Sequence, residues 1–201
     1  MSYQAAGPVV LGISGASGAP YAVSLLRALN AAAVPVHLIV SQYGMRLLAE
    51  ESGIEGREAL QAATGDWSRV TLYDTMDRGA TPASGSAPSR GMVICPCSMG
   101  TLGSIAAGTS RSLIERAADV TLKESRPLIL VPRETPLSLI HLENMTRLTA
   151  AGATILPASP GFYHRPTTLE DLVDFVVFRI LDHLGVEHPG VRWKSGEILE
   201  E

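Results

Sequence analysis

Hydroxyl side chains follow apolar runs at three places in this chain: Ser14 and Ser17 in GISGASGAPY (12–21), Ser41 behind VPVHLIV (34–40), and Ser98 with Thr101 in CPCSMGTL (95–102). Where a helix starts, such a hydroxyl caps it, and the amides of the first turn carry partial positive charge that suits a phosphate or another anion. Around Ser17 the small residues Gly15, Ala16 and Gly18 let a ligand approach the backbone closely. Taken alone, each start reads equally well as an ordinary cap; three at one edge of a sheet point to a shared anion site. Gly12, Gly15 and Gly18 spell G-x-x-G-x-x-G, not the G-x-G-x-x-G of dinucleotide folds, and no P-loop lysine follows. Ala19 stands where a nucleophile elbow needs its last glycine, and no histidine context nominates a triad partner, which disfavours a serine hydrolase.

Charge marks a second group. Arg133 and Glu134 in RETP (133–136) end the run LILVP, where a charged side chain is expensive unless it is paired or used. The location favours use over a mutual ion pair. Thr135 is expected to cap the next helix and Pro136 to open it. Tyr163 in PGFYHRP (160–166) follows the last strand, and Arg179 interrupts LVDFVVFRIL (172–181), where it needs either a carboxylate such as Asp182 or a bound anion. Arg116 and Lys123 lie seven residues apart on one helix face, by pattern alone a solvated face with Glu115 and Asp119 beside it. His141 reads as a core or surface residue. Cys95 and Cys97 are alternate residues of a strand, about 7 Å apart, which makes a disulfide between them difficult. A lone C-x-C is half a zinc site at best, so buried thiols in a reducing compartment are expected, with no metal.

These residues need a scaffold, and the pattern supplies one. Apolar runs at 8–14, 34–41, 91–96, 126–132 and 153–158 alternate with helical spacing at 21–33, 44–53, 98–108, 110–124, 135–152 and 168–185. Between 54 and 90 the signal weakens, leaving a short strand at 70–74 and a loop rich in Gly, Ser, Pro and Ala at 79–90. Strands separated by helices predict an α/β fold, a three-layer Rossmann-like (flavodoxin-like) sandwich with a mostly parallel sheet, binding its ligand at the carboxyl ends of the strands. Residues 1–185 are expected to form a single domain and 186–201 a C-terminal arm lying over this or a neighbouring subunit.

Composition excludes several classes. With 16 Lys and Arg against 20 Asp and Glu, a net charge of −4 and a pI near 5.7, the chain lacks the basic stripe of a nucleic-acid-binding surface. At 46% hydrophobic residues and a mean hydropathy of +0.19, much surface must be buried, within the fold or between subunits. No apolar run reaches the roughly 18 residues that span a bilayer, and MSYQAAGPVVLG has no basic leader, so the cytoplasm is the expected location.

The stretches GISGASGAPYA, VICPCSMGTL, LIERAADVTLKESRPLILVPRETPLSLIHLENM and PGFYHRPTTLEDLVDFVVFRILDHLG together resemble the UbiX/Pad1 family of flavin prenyltransferases, from about residue 8 to 185. The resemblance implies an FMN-binding flavoprotein domain and a metal-independent transferase. Its reaction would move a dimethylallyl group from dimethylallyl monophosphate to N5 and C6 of reduced FMN, and the product, prenylated FMN, would serve a UbiD-type decarboxylase. Carried over residue by residue, it implies flavin contacts from Gly15, Ala16, Ser17, Ser41, Ser98, Met99, Gly100, Thr101 and Arg133. Arg116, Lys123, Tyr163 and Arg179 would hold the allylic phosphate, some across a subunit boundary, which overrides the pattern reading of Arg116 and Lys123. Glu134 and Ser17 would relay the proton lost at C6. It further implies a homo-oligomer, the dodecamer being usual in the family. Two rivals remain at this point: an FMN-dependent decarboxylase or oxidoreductase of the same fold, and a non-catalytic FMN carrier for a partner decarboxylase.

Overall fold

The computed structural model of the chain describes residues 7–190. Six strands form one sheet: β1 (Val9–Ile13), β2 (Val36–Val40), β3 (Val70–Tyr73), β4 (Gly91–Cys97), β5 (Leu128–Pro132) and β6 (Thr154–Ile155). All pair in parallel in the order β3-β2-β1-β4-β5-β6. The helices between them are α1 (Ala19–Ala31), α2 (Gln42–Ser52), α3 (Gly56–Thr64), α4 (Met99–Ala106), α5 (Leu113–Lys123), α6 (Leu139–Ala150) and α7 (Leu169–Leu184). This is the expected three-layer α/β sandwich, its sheet parallel throughout.

Two helical layers explain why the strands read as unbroken apolar runs. β1 is buried at every position. Val9, Leu11 and Ile13 face α1, α3 and α7, while Val10 faces the opposite layer with α4, α5 and α6. Leu25, Leu26 and Leu29 of α1 are fully buried, each contributing on the order of 2 kcal/mol of transfer free energy. Cys95 and Cys97 are free and buried in the central strand β4, Cys95 on one face and Cys97 on the other.

Two expectations need correcting. The weak stretch 54–90 holds a complete helix, α3, whose Leu60 is buried while most of its other residues stay wet. Thr135 and Pro136 do not start α6. That helix begins at Leu139 behind Ser138, whose hydroxyl takes the His141 amide while the His141 ring takes the Ser138 amide. This reciprocal capping box satisfies two of the orphan amides of the first turn, and a start at Pro136 offers nothing equivalent. Among the described residues no helix is long and apolar enough to cross a membrane. The expected arm at 186–201 is described only to Gly190; its remainder, 191–201, lies outside the described residues.

Candidate functional site

The sheet order places four sequence signals side by side. Ser41 follows β2, the turn 14–18 follows β1, Ser98 follows β4 and Arg133 follows β5, and these four strands are neighbours. Three strand spacings make this edge about 14 Å long. Between β1 and β4 the chain reverses its direction of travel across the sheet, which is where open α/β sheets bind ligands.

Ser14 holds the two central strand ends together. It is buried, donates to the Pro96 carbonyl at 3.0 Å and accepts the Ser98 amide at 2.8 Å, so its hydroxyl is committed to the scaffold and Ser17 is left to face the edge. Gly15 is required by packing, since a Cβ there would sit 2.5 Å from the Cβ of Tyr43. Gly18, at φ +122°, occupies backbone space that disfavours any other residue. Ala16 is buried beneath the turn.

Ser41 and Ser98 are helix caps, as expected. Ser41 accepts the Gly44 amide at 3.0 Å, and Ser98 accepts the Thr101 amide at 3.2 Å while donating to its hydroxyl at 3.0 Å. The amides of Met99 and Gly100 in the first turn of α4 have no partner among the described residues and remain available to an anion. At α1 the cap residue is Gly18, which has no side chain to offer. Glu51, at the far end of α2, supplies it instead: its Oε2 accepts the amides of Gly18 and Ala19, both at 2.8 Å. Partial burial pushes the Glu51 carboxyl up, but those two amides, the Ser17 hydroxyl and the nearby Arg133 together hold it below the ordinary glutamate value.

Sequence reading missed Glu51 because its partners lie 33 and 32 residues away. The one available signal was negative: GAP opens α1 without a hydroxyl or carboxylate of its own, so the acceptor had to come from elsewhere.

Arg133 and Glu134 are exposed and form no ion pair with each other. Glu134 Oε1 accepts the Thr135 amide at 3.1 Å, which leaves Oε2 free. The thiol of Cys97 is pushed up by burial to about 12, and burial raises that of Cys95 as well, so neither is a nucleophile at neutral pH.

Of the basic and phenolic residues, Lys123, Tyr163 and Arg179 lie apart from this edge, and Arg116 is in the first turn of α5. Arg116 pairs with Asp119 at 2.7 Å on α5. Lys123, the last residue of α5, pairs with Glu124 and lies at the amino end of the sheet, five positions before β5 begins at Leu128. Tyr163 and Arg179 line a cavity of about 780 Å³ along α7, together with Phe175, Phe178 and His188. No residue of the hydroxyl edge lines it. Among the described residues no cluster of His, Cys, Asp and Glu could hold a metal ion.

A parallel six-stranded sheet with hydroxyls, unpaired amides and an arginine along the carboxyl ends of its central strands defines an α/β protein built to hold a phosphate-bearing ligand across its switch point. A family model described as flavoprotein matches residues 3–181. The flavin prenyltransferase UbiX of Halalkalibacterium halodurans is 49% identical over 90% of this chain and 90% of that protein. The flavin prenyltransferase UbiX of Pseudomonas aeruginosa is 46% identical over 96% of this chain and 97% of its own. Among solved structures, a dodecameric FMN-dependent UbiX-like decarboxylase from Escherichia coli O157:H7 superposes with a TM-score of 0.86 at 42% identity, covering 93% of this chain and 99% of that one. AnUbiX (PadA1) in complex with FMN and dimethylallyl pyrophosphate superposes at 0.85 and 37% identity, covering 94% and 100%. The chain belongs to the flavoprotein family and, within it, to the UbiX flavin prenyltransferases.

Proposed function

We propose that the protein is a metal-independent flavin prenyltransferase that moves a dimethylallyl group from dimethylallyl monophosphate to N5 and C6 of reduced FMN, and that a UbiD-type decarboxylase in the cytoplasm receives the prenylated flavin. The observation that carries the reading is the row of Ser41, Ser17, Ser98 and Arg133 over four adjacent strand ends, with the amides of Met99 and Gly100 unpaired.

That donor set fits FMN. The start of α4, with Ser98, Met99, Gly100 and Thr101, offers two free amides and the Thr101 hydroxyl to a phosphate, the Ser98 hydroxyl donating to Thr101 and holding it in place. Gly15, Ala16, Ser17, Ser41 and Arg133 would flank the ring system. When bound, reduced FMN supplies the nucleophilic ring edge and the electron-rich face on which an allylic cation is captured.

The chain's own residues do the rest. Arg116, Lys123, Tyr163 and Arg179 hold the allylic phosphate and stabilise the charge that grows as its C–O bond breaks. Because Lys123 sits at the amino end of the sheet and Tyr163 and Arg179 line a cavity apart from the hydroxyl edge of their own subunit, the complete site joins copies of the chain in a homo-oligomer, a dodecamer in this reading. Glu134 Oε2, free of the turn, takes the proton released at C6, with Ser17 Oγ in the relay and the released phosphate as the final base.

Anaerobic incubation of the purified protein with reduced FMN and dimethylallyl monophosphate, then mass spectrometry of the extracted flavin, tests this. Gain of one isoprene unit is expected. Unmodified FMN from folded, flavin-loaded protein, with the diphosphate failing too, overturns the reading in favour of a carrier. Flavin-dependent decarboxylation with no allylic phosphate present favours the related decarboxylases instead.

A further inference from the structure

Arg179 leaves α7 half exposed and ends in a cavity that also contains three aspartates, Asp171, Asp174 and Asp182. An arginine meant for an anion is poorly served by carboxylates unless each is already engaged. Each is. Asp171 caps the start of α7 through the amides of Thr167 and Thr168, and Asp174 accepts the Ser24 hydroxyl at 2.6 Å. Asp182 divides its two oxygens: Oδ2 accepts Arg179 Nη1 at 2.8 Å and Oδ1 faces His188 Nε2 at 3.1 Å.

The roles within this trio follow from the backbone. His188 Nδ1 accepts the Gly190 amide at 3.1 Å, so the proton sits on Nε2 and His188 donates to Asp182. The ring cannot swing away. Gly185, at φ 63°, turns the chain back over the helix end, Val186 is buried, and the imidazole lies flat on Phe178 with centroids 4.8 Å apart. The His188 side chain is 3% exposed against 52% for Arg179, so a buried inner residue backs an exposed outer one.

We propose that Asp182 and His188 are positioning residues for the allylic phosphate, acting through Arg179: Asp182 braces one guanidinium nitrogen, and His188 takes up enough of the carboxylate's charge to leave the others attractive to a phosphate. Ordering an arginine in advance spares part of the rotamer entropy it would lose on binding. Without the His188 bond, more of the carboxylate's charge falls on Arg179 and competes with the substrate.

This proposal rests on the prenyltransferase reading, and the test separates the two. Wild-type protein that makes no prenylated flavin sinks the reading; wild-type protein that makes it while the variants below behave as wild type sinks only this proposal. In the FMN-loaded full chain, Asp182→Ala is expected to raise KM for dimethylallyl monophosphate about tenfold, with kcat and FMN affinity within about twofold of wild type. In an Arg179→Ala background the same substitution should have no further effect; an undiminished effect there overturns the proposal. At position 188 the order of two variants decides. His188→Gln keeps a donor for Asp182 and is expected to hold KM near wild type, whereas His188→Phe keeps only the stack and should raise it. The reverse order would mean that His188 merely packs, and would overturn its assignment.

Discussion

Glu51 closes a gap the local sequence leaves open, and its charge is tied to the start of α1. Its folded-state carboxyl is held below the ordinary glutamate range, so the stabilisation it provides is present above that range and lost as pH falls through the depressed value. Glu51→Gln keeps an acceptor oxygen and removes the charge. It should lower stability by about 0.5–1 kcal/mol at neutral pH, with the difference from wild type disappearing in acid, as thermal melts across pH will report. Glu134 is the opposite case, since its loss should leave the fold untouched. The residue is exposed and its one hydrogen bond is to the next amide in its own turn. Glu134→Gln is therefore expected to bind FMN normally and to slow prenyl transfer by ~10²-fold or more, the usual worth of a positioned general base. Flavin titration and product mass spectrometry check the two halves, and a variant with full turnover would remove Glu134 from the proton path.

Between elements, the arrangement depends on Ser14, which ties the end of β1 to the first residue after β4. Ser14→Ala strands the Ser98 amide, while the Pro96 carbonyl keeps the Ser14 amide at 3.2 Å, at a cost of about 1–3 kcal/mol and a Tm drop of ~2–4 °C for each kcal/mol. Because Ser98 opens α4, flavin affinity should fall with stability, a pairing that calorimetry and flavin titration will detect together. The same elements show what can be read without coordinates. Strands β1, β2, β4 and β5 were legible because each is a short apolar run with a small or charged residue at its end, and the hydroxyls behind β2 and β4 because capping is local. Helix α3 was not, since a helix with one buried leucine carries a faint apolar stripe between Gly56 and Gly65. The start of α6 was misread because Thr-Pro is a valid opening signal that a better one, Ser138 with His141, outcompetes three residues later. Ser14 and Ser17 look alike in sequence, and only the sheet decides which of them turns inward.

At the scale of the molecule, a single chain leaves apolar surface in the wrong place. Leu139 and Ile140 at the start of α6 are 70% and 67% exposed, Leu137 and Leu142 beside them are exposed too, and Leu148 is the only fully buried residue of that helix. A contiguous apolar face of this kind on a protein with a mean hydropathy of +0.19 is what an interface between copies looks like before assembly. The residues proposed to hold the phosphate lead to the same conclusion by a separate route, because Lys123 sits at the amino end of the sheet and cannot serve the hydroxyl edge of its own chain. Assembly and activity should therefore fail together. Ile140→Asp places a charge in the middle of that face, where an interface would have to desolvate it, without touching the core of the monomer. Light scattering after size exclusion is expected to show a smaller assembly, circular dichroism a folded chain, and the flavin assay a loss of prenyl transfer greater than the loss of FMN binding. Full activity from a dissociated variant would mean that each chain completes its own site, and that Lys123 has no part in it.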